Sequence, residues 1–163
     1  MRFRLLGVVS ALLCLSGPLL AADGLPPARD LTADARLAAA RQMPILVFFT
    51  SESCPYCREV ENLYLRPMQA RGTYRGRLLL RVVEVGGGTP LTDFAGGQVN
   101  HGLFARHERV AFTPVIRLYD AAGRELAPSL VGYTTPDFYL GYLEQAIEQA
   151  IAAARSSRTA ALR

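Results

Sequence analysis

The chain has 163 residues, half of them hydrophobic and 20% charged, which fits one folded domain and excludes a mainly disordered protein. Its 18 basic residues are all arginine, so no lysine is available as base or Schiff-base former, and the scattered net charge of +4 has no run of the kind that binds nucleic acid. Three cysteines are too few for a disulfide-dense scaffold or a four-thiolate zinc ribbon.

Residues 1–22 have the order of a secretory signal peptide. Arg2 and Arg4 precede an apolar run from Leu5 to Leu15, Gly17 and Pro18 break it, and Ala21 and Ala22 supply small residues for cleavage after Ala22. The run is shorter than the roughly 20 residues of a membrane-spanning helix; an uncleaved anchor is the alternative. Cys14 follows Leu13, which is too large for a lipoprotein signal, and is removed with the segment. The expected product starts at Asp23 and keeps two cysteines in an exported, oxidising compartment; without Arg2 and Arg4 its charge falls from +4 to +2.

The mature chain, a domain over 23–155 with a flexible tail over 156–163, opens with Gly24, Pro26 and Pro27 as an extended leader. A helix is predicted over Leu31–Gln42, capped by Asp30 or Thr32 and ended by Pro44. Ile45 to Phe49 (ILVFF) is a continuous apolar run, as in a strand covered on both faces. After a polar turn, Pro55 sits where a helix start welcomes proline, and the helix runs to Arg66 or Ala70 with Pro67 kinking or ending it. Leu78 to Val85 is the second predicted strand, ended by Gly86, Gly87 and Gly88. A helix follows over Val99–His107. Val115 to Tyr119 alternates like a strand, with Glu125–Val131 as its hairpin partner. Phe138, Leu140, Leu143, Ile147 and Ile151 recur at helical spacing and place the last helix over Asp137–Arg155. The predicted class is α/β, a mixed central sheet with helices on both faces.

The stretch from Thr50 to Cys57 reads TSESCPYC and puts two thiols directly after the first strand, at a helix start. The free N–H groups and positive dipole end of a first helical turn favour thiolate over thiol. Cys54 is therefore the expected exposed nucleophile. Cys57, one turn deeper, is the expected resolving thiol, and the pair can close a Cys54–Cys57 disulfide. Arg58 adds positive charge beside it. Such a pair carries thiol–disulfide exchange through a mixed disulfide. A structural disulfide or half a zinc site is the bland alternative. For zinc, His101 and His107 are the other candidates, but six residues on a helix turn them apart, and both read as surface residues. No metal and no cofactor is expected.

Thr113-Pro114 opens the strand Val115–Tyr119, a place where proline costs no ladder bond. With the strand ILVFF, the CPYC pair, this Thr-Pro before a hairpin, Gly132 after it and the closing amphipathic helix, nearly all of the mature chain resembles the thioredoxin superfamily. The resemblance implies the thioredoxin-like fold, a cis Pro114 packed against the dithiol, and a Thr113 backbone that pairs with an extended substrate peptide. Pro55 and Tyr56 would support the site, with Tyr56 exposed toward the partner. The branch is similar to periplasmic proteins of the SoxW or Dsb type. It implies a periplasmic, monomeric reductase of protein disulfides recharged by a membrane redox donor, or in the opposite direction a disulfide-forming oxidase or isomerase. A redox-sensing or metal-delivery module is the reading from another class; it would want a third soft ligand, and Met43 and Met68 suit core packing better. The chain departs from the family at Ser53, where thioredoxin has Trp, and at Phe48, where it has a buried Asp that serves as proton shuttle. Glu52 and Glu84 are the candidate substitutes for that base, each read first as a surface residue.

Overall fold

A computed structural model describes residues 24–161, so the expected signal segment 1–22, with Cys14, lies outside the described residues. The central sheet holds four strands in the order β2-β1-β5-β6. β1 (Ile45–Thr50) lies inside, parallel to β2 (Leu79–Glu84) and antiparallel to β5 (Val115–Tyr119), which pairs with the short edge strand β6 (Leu130–Val131). This is the mixed α/β sheet expected from a helix between the first two strands and a hairpin at the end.

The alternation of β1 divides the core. Leu46 and Phe48 face one side with Cys54, Cys57, Ile116, Leu118 and the buried face of the last helix. Ile45, Val47 and Phe49 face the other, against α1 (Leu31–Arg41) and α4 (His101–His107). Five of the six β1 residues are buried, which is why the run needs no polar alternation. Asp30, not Thr32, caps α1, accepting from the Ala33 N–H at 2.8 Å. Asp34 on α1 is tied to Arg81 of β2 by two bonds of 2.8 and 2.5 Å, which holds the helix to the sheet.

Four boundaries differ from the sequence expectation. The helix after Pro55 passes Pro67 and ends at Arg71, one residue beyond the farther expected end at Ala70. It runs as α2 (Pro55–Val60), a π-helical turn (Glu61–Leu65) and α3 (Arg66–Arg71). Pro67 has no N–H for the ladder, and in the turn before it the Arg66 N–H reaches back five residues to the Glu61 carbonyl. Val99 is not helical. It lies in a two-stranded ribbon, β3 (Pro90–Thr92) with β4 (Gln98–Asn100), opposite Leu91. Asn100 then caps α4 by accepting from the Leu103 N–H at 2.8 Å, so that helix starts at His101. The hairpin partner of β5 pairs only at a Tyr119–Glu125 bridge and at Leu130–Val131, because Pro128 between them has no donor to give. The last helix, α5 (Pro136–Ala161), runs six residues beyond the predicted Arg155. Among the described residues no helix is long and apolar enough to cross a membrane.

Candidate active site

β1 delivers its chain to a tight turn, where the Cys54 N–H bonds the Ser51 carbonyl at 3.1 Å. Cys54 is the N-cap of α2, and Pro55 follows in the first turn. The Cys54 Sγ accepts a hydrogen bond from the Cys57 N–H at 3.1 Å. Cys54 and Cys57 are joined by a disulfide, with Cα atoms 5.2 Å apart. Cys54 is 8% exposed and Cys57 1%. The order of accessibility is the expected one, but Cys54 is nearly enclosed rather than exposed, because the turn and the neighbouring core wrap its sulfur.

The Thr113–Pro114 peptide bond is cis. Phe49 of β1 pairs with Val115 of β5, so one step further the register sets Pro114 opposite Thr50, at the mouth of the turn that carries Cys54. Pro114 is buried, and its carbonyl is held by the Gly132 N–H at 2.8 Å. Gly132 has φ 78°, a backbone that favours glycine. Among the described residues nothing pairs with the Thr113 backbone. Tyr56, Phe112 and Val131 are 55%, 75% and 61% exposed. They stand on the dithiol motif, on the segment entering Pro114 and on the edge strand beside it, a set of apolar side chains open to solvent.

Four tyrosines pack in series from the dithiol motif. Tyr56 meets Tyr133 at 6.3 Å between ring centres, Tyr133 meets Tyr64 at 6.1 Å and Tyr139 at 5.0 Å. The Tyr64 and Tyr133 hydroxyls share a hydrogen bond of 3.0 Å, and the Tyr64 hydroxyl donates to the Pro136 carbonyl. With its proton committed there, Tyr64 accepts from Tyr133, which pushes the Tyr133 hydroxyl up to about 12. Burial raises Tyr139 as well. In the sequence Tyr64 reads only as part of the inner face of its helix, and Tyr133 and Tyr139 leave no trace beyond a chain with seven tyrosines and no tryptophan.

Phe48 is fully buried in the core cluster that includes both cysteines. The two candidate bases do not replace the missing carboxylate there. Glu52 and Glu84 instead line a polar cleft of about 470 Å³ with Thr50, Ser51, Arg58 and His101. The Arg58 guanidinium leans back to the Glu52 carbonyl at 3.4 Å. A more apolar groove of about 390 Å³, between Met68, Tyr74 and the β2 edge, includes no residue of the dithiol motif.

His101 corrects a second expectation. It is 2% exposed, not a surface residue. Its Nδ1 accepts from the Glu84 N–H at 3.0 Å, which places the proton on Nε2, and Nε2 donates to the Ala28 carbonyl at 2.8 Å. The ring thus joins the end of β2 to the N-terminal segment. Gly102 beside it lies so close to Gly86 that a Cβ would come within 3.1 Å of that backbone. His107 is exposed, as read. Among the described residues no three His, Cys, Asp or Glu side chains are grouped to hold a metal. Replacing His101 by phenylalanine leaves the part-buried Glu84 N–H and the buried Ala28 carbonyl unpaired, at about 1–3 kcal/mol each. The expected loss in urea unfolding is about 2–6 kcal/mol, against within about 0.5 kcal/mol for His107→Ala.

A family model described as a thioredoxin-like domain matches residues 31–147. No curated protein sequence matches the chain. Among solved structures, a thioredoxin-fold protein from Helicobacter pylori is similar at 16% identity and a TM-score of 0.51, over 72% of this chain and 86% of that one. Oxidised mitochondrial thioredoxin 3 from Saccharomyces cerevisiae is similar at 15% identity and a TM-score of 0.50, over 76% and 93%. A thioredoxin from Thermus thermophilus is similar at 24% identity and a TM-score of 0.51, over 74% and 85%. At these identities the structures speak for the fold, and the family model spans most of the chain: the chain belongs to the thioredoxin-like domain family.

Proposed function

We propose that the chain is an exported thiol–disulfide oxidoreductase that reduces disulfides of periplasmic proteins, without a bound cofactor. The observation that carries the reading is the Cys54–Cys57 disulfide at a helix N-terminus of a thioredoxin-like domain, with cis Pro114 entering the adjacent strand. In the reduced protein the Cys54 thiolate attacks one sulfur of a partner disulfide. That bond breaks, the mixed disulfide forms and the partner's other sulfur leaves as thiolate. Cys57 loses its proton, attacks the Cys54 sulfur and releases the second partner thiol. Two electrons pass to the partner, and a membrane redox donor restores the dithiol. Thr113 would hold the partner chain through its open backbone groups, with Pro55, Tyr56 and Pro114 shaping the surface around the sulfur.

The same bonds run backwards in a disulfide-forming oxidase of the Dsb type. The Cys57 N–H aimed at the Cys54 sulfur favours that direction, since a better-held thiolate makes a stronger oxidant. The reduction potential separates the two. A value near the thioredoxin level of about −270 mV, with catalysed reduction of insulin, supports the reductase; a value near about −120 mV overturns it in favour of the oxidase. A protein that neither reduces nor oxidises thiols would leave the Cys54–Cys57 bond as a structural staple.

A further inference from the structure

The sequence is net positive, yet along the chain Cys54 is flanked by the carboxylates of Glu52 and Glu59. Glu52 and Glu84 share a cleft with Ser53, the residue directly before Cys54. Glu59 follows Cys57 by two residues on α2, and Asp137 opens α5 four residues after Tyr133. The charges of Glu59 and Asp137 both act on the hydroxyl of Tyr133, whose ring packs on Tyr56. Among the described residues none of these four carboxylates has an ion-pair partner, whereas Arg81 and Arg77 are each paired with an acid elsewhere. Arg58 is the cation on the same helix, and it points to the Glu52 carbonyl.

Tyr56 follows Glu52 by four residues and precedes Glu59 by three on α2; it is half exposed, its ring leaning on Tyr133. An aromatic face carries negative potential and takes a guanidinium or ammonium group, more strongly where water is partly excluded. Ring and carboxylates are thus complementary to one kind of group. We propose that this surface selects partner disulfides flanked by arginine or lysine: the basic side chain beside the partner's cysteine lies on Tyr56 between the acidic residues while the cysteine meets Cys54. The proposal rests on the oxidoreductase reading and names its substrate class. Charge complementarity of this kind acts mainly on encounter and register, so it should show in rates and respond to salt.

The test uses the reduced protein and three mixed disulfides of 2-nitro-5-thiobenzoate with the peptides Gly-Arg-Cys-Arg-Gly, Gly-Gln-Cys-Gln-Gly and Gly-Glu-Cys-Glu-Gly. Attack of Cys54 on the peptide sulfur releases the coloured thiolate, followed by stopped flow. Each rate is divided by that of dithiothreitol on the same peptide, which removes the peptide's own reactivity. At low ionic strength the arginine peptide should react about tenfold faster than the neutral one and the glutamate peptide about tenfold slower. The spread should close near 1 M salt, where charges are screened within about 3 Å. In Glu52→Gln/Glu59→Gln/Asp137→Asn it should shrink to about twofold, and Glu59→Gln alone, at an exposed position, should narrow it partially. Equal normalised rates for the three peptides, or a spread unchanged in both variants, overturns the proposal while exchange itself persists. No reaction with any peptide overturns the oxidoreductase reading beneath it.

Discussion

Cys54→Ser should abolish disulfide reduction, by at least about 10³-fold, the scale on which loss of an essential nucleophile acts. Cys57→Ser should lose turnover to a similar extent but retain the first attack. The two outcomes follow from an asymmetry visible in the oxidised protein. Cys54 is the helix cap, is the more accessible sulfur, and receives the Cys57 N–H at 3.1 Å. That donor belongs to the backbone, so it survives replacement of the Cys57 side chain and continues to support a Cys54 thiolate. Cys57 is 1% exposed and can reach only a sulfur already bound at position 54. A partner attacked by Cys57→Ser should therefore stay attached as a mixed disulfide, while Cys54→Ser should capture none. Non-reducing electrophoresis of the two variants expressed from the full-length sequence, with and without dithiothreitol, reads this directly. Equal adduct formation by both variants would mean that either sulfur can be attacked from outside, and the assignment of roles would fall. Absence of adducts in both, with no insulin reduction by the parent protein, would leave the disulfide with a structural role.

The parts of this molecule that were legible in its sequence are those in which local pattern and tertiary environment agree. ILVFF is apolar throughout because β1 is covered on both faces, and the CPYC pair follows it directly, so strand, turn and helix start are read from a dozen residues. Pro114 was legible for the same reason: a proline opening a strand has few places to sit. The ribbon β3–β4 was missed because strands of three residues are too short to show a period, and Val99 in isolation suits a helix as well as a strand. His101 was misplaced because polarity argues for the surface, whereas two backbone groups remote in sequence, at Ala28 and Glu84, make its burial inexpensive. The tyrosine series is assembled from a helix, a loop and a second helix about 70 residues apart in the chain, the Tyr64–Tyr133 bond spanning 69. No local pattern encodes such a contact. The enclosure of Cys54 is likewise a product of the assembled turn and core, beyond what the helix-start position states.

Phe48→Asp tests how dry the core beneath the dithiol is, and the expected effect is large. The position is six residues before Cys54, where the resembling family carries its buried acid. Here Phe48 is fully buried among Leu46, Ile116 and both cysteines. Removing its ring alone is worth about 3–5 kcal/mol, as for a Phe→Ala change in a packed core. A carboxylate in the same place adds the cost of burying a charge among apolar side chains. Together these approach the whole stability of an ordinary domain, about 5–15 kcal/mol, so the variant should be largely unfolded at neutral pH. Its stability should depend on pH in one direction. Burial raises the folded-state pKa of the new acid above its unfolded value of about 3.9. Below that value both states are protonated and only the cavity cost remains. As pH rises from there toward the raised folded value, the unfolded chain ionises alone and stability falls by about 1.4 kcal/mol per pH unit. Urea midpoints for Phe48→Asp should therefore climb on acidification relative to those of Phe48→Leu, which carries a smaller packing cost and no charge. Equal stability of the Asp and Leu variants at neutral pH would mean that water or a cation reaches this position, and Cys57 would then have a proton route through the core that the packed phenylalanine denies it.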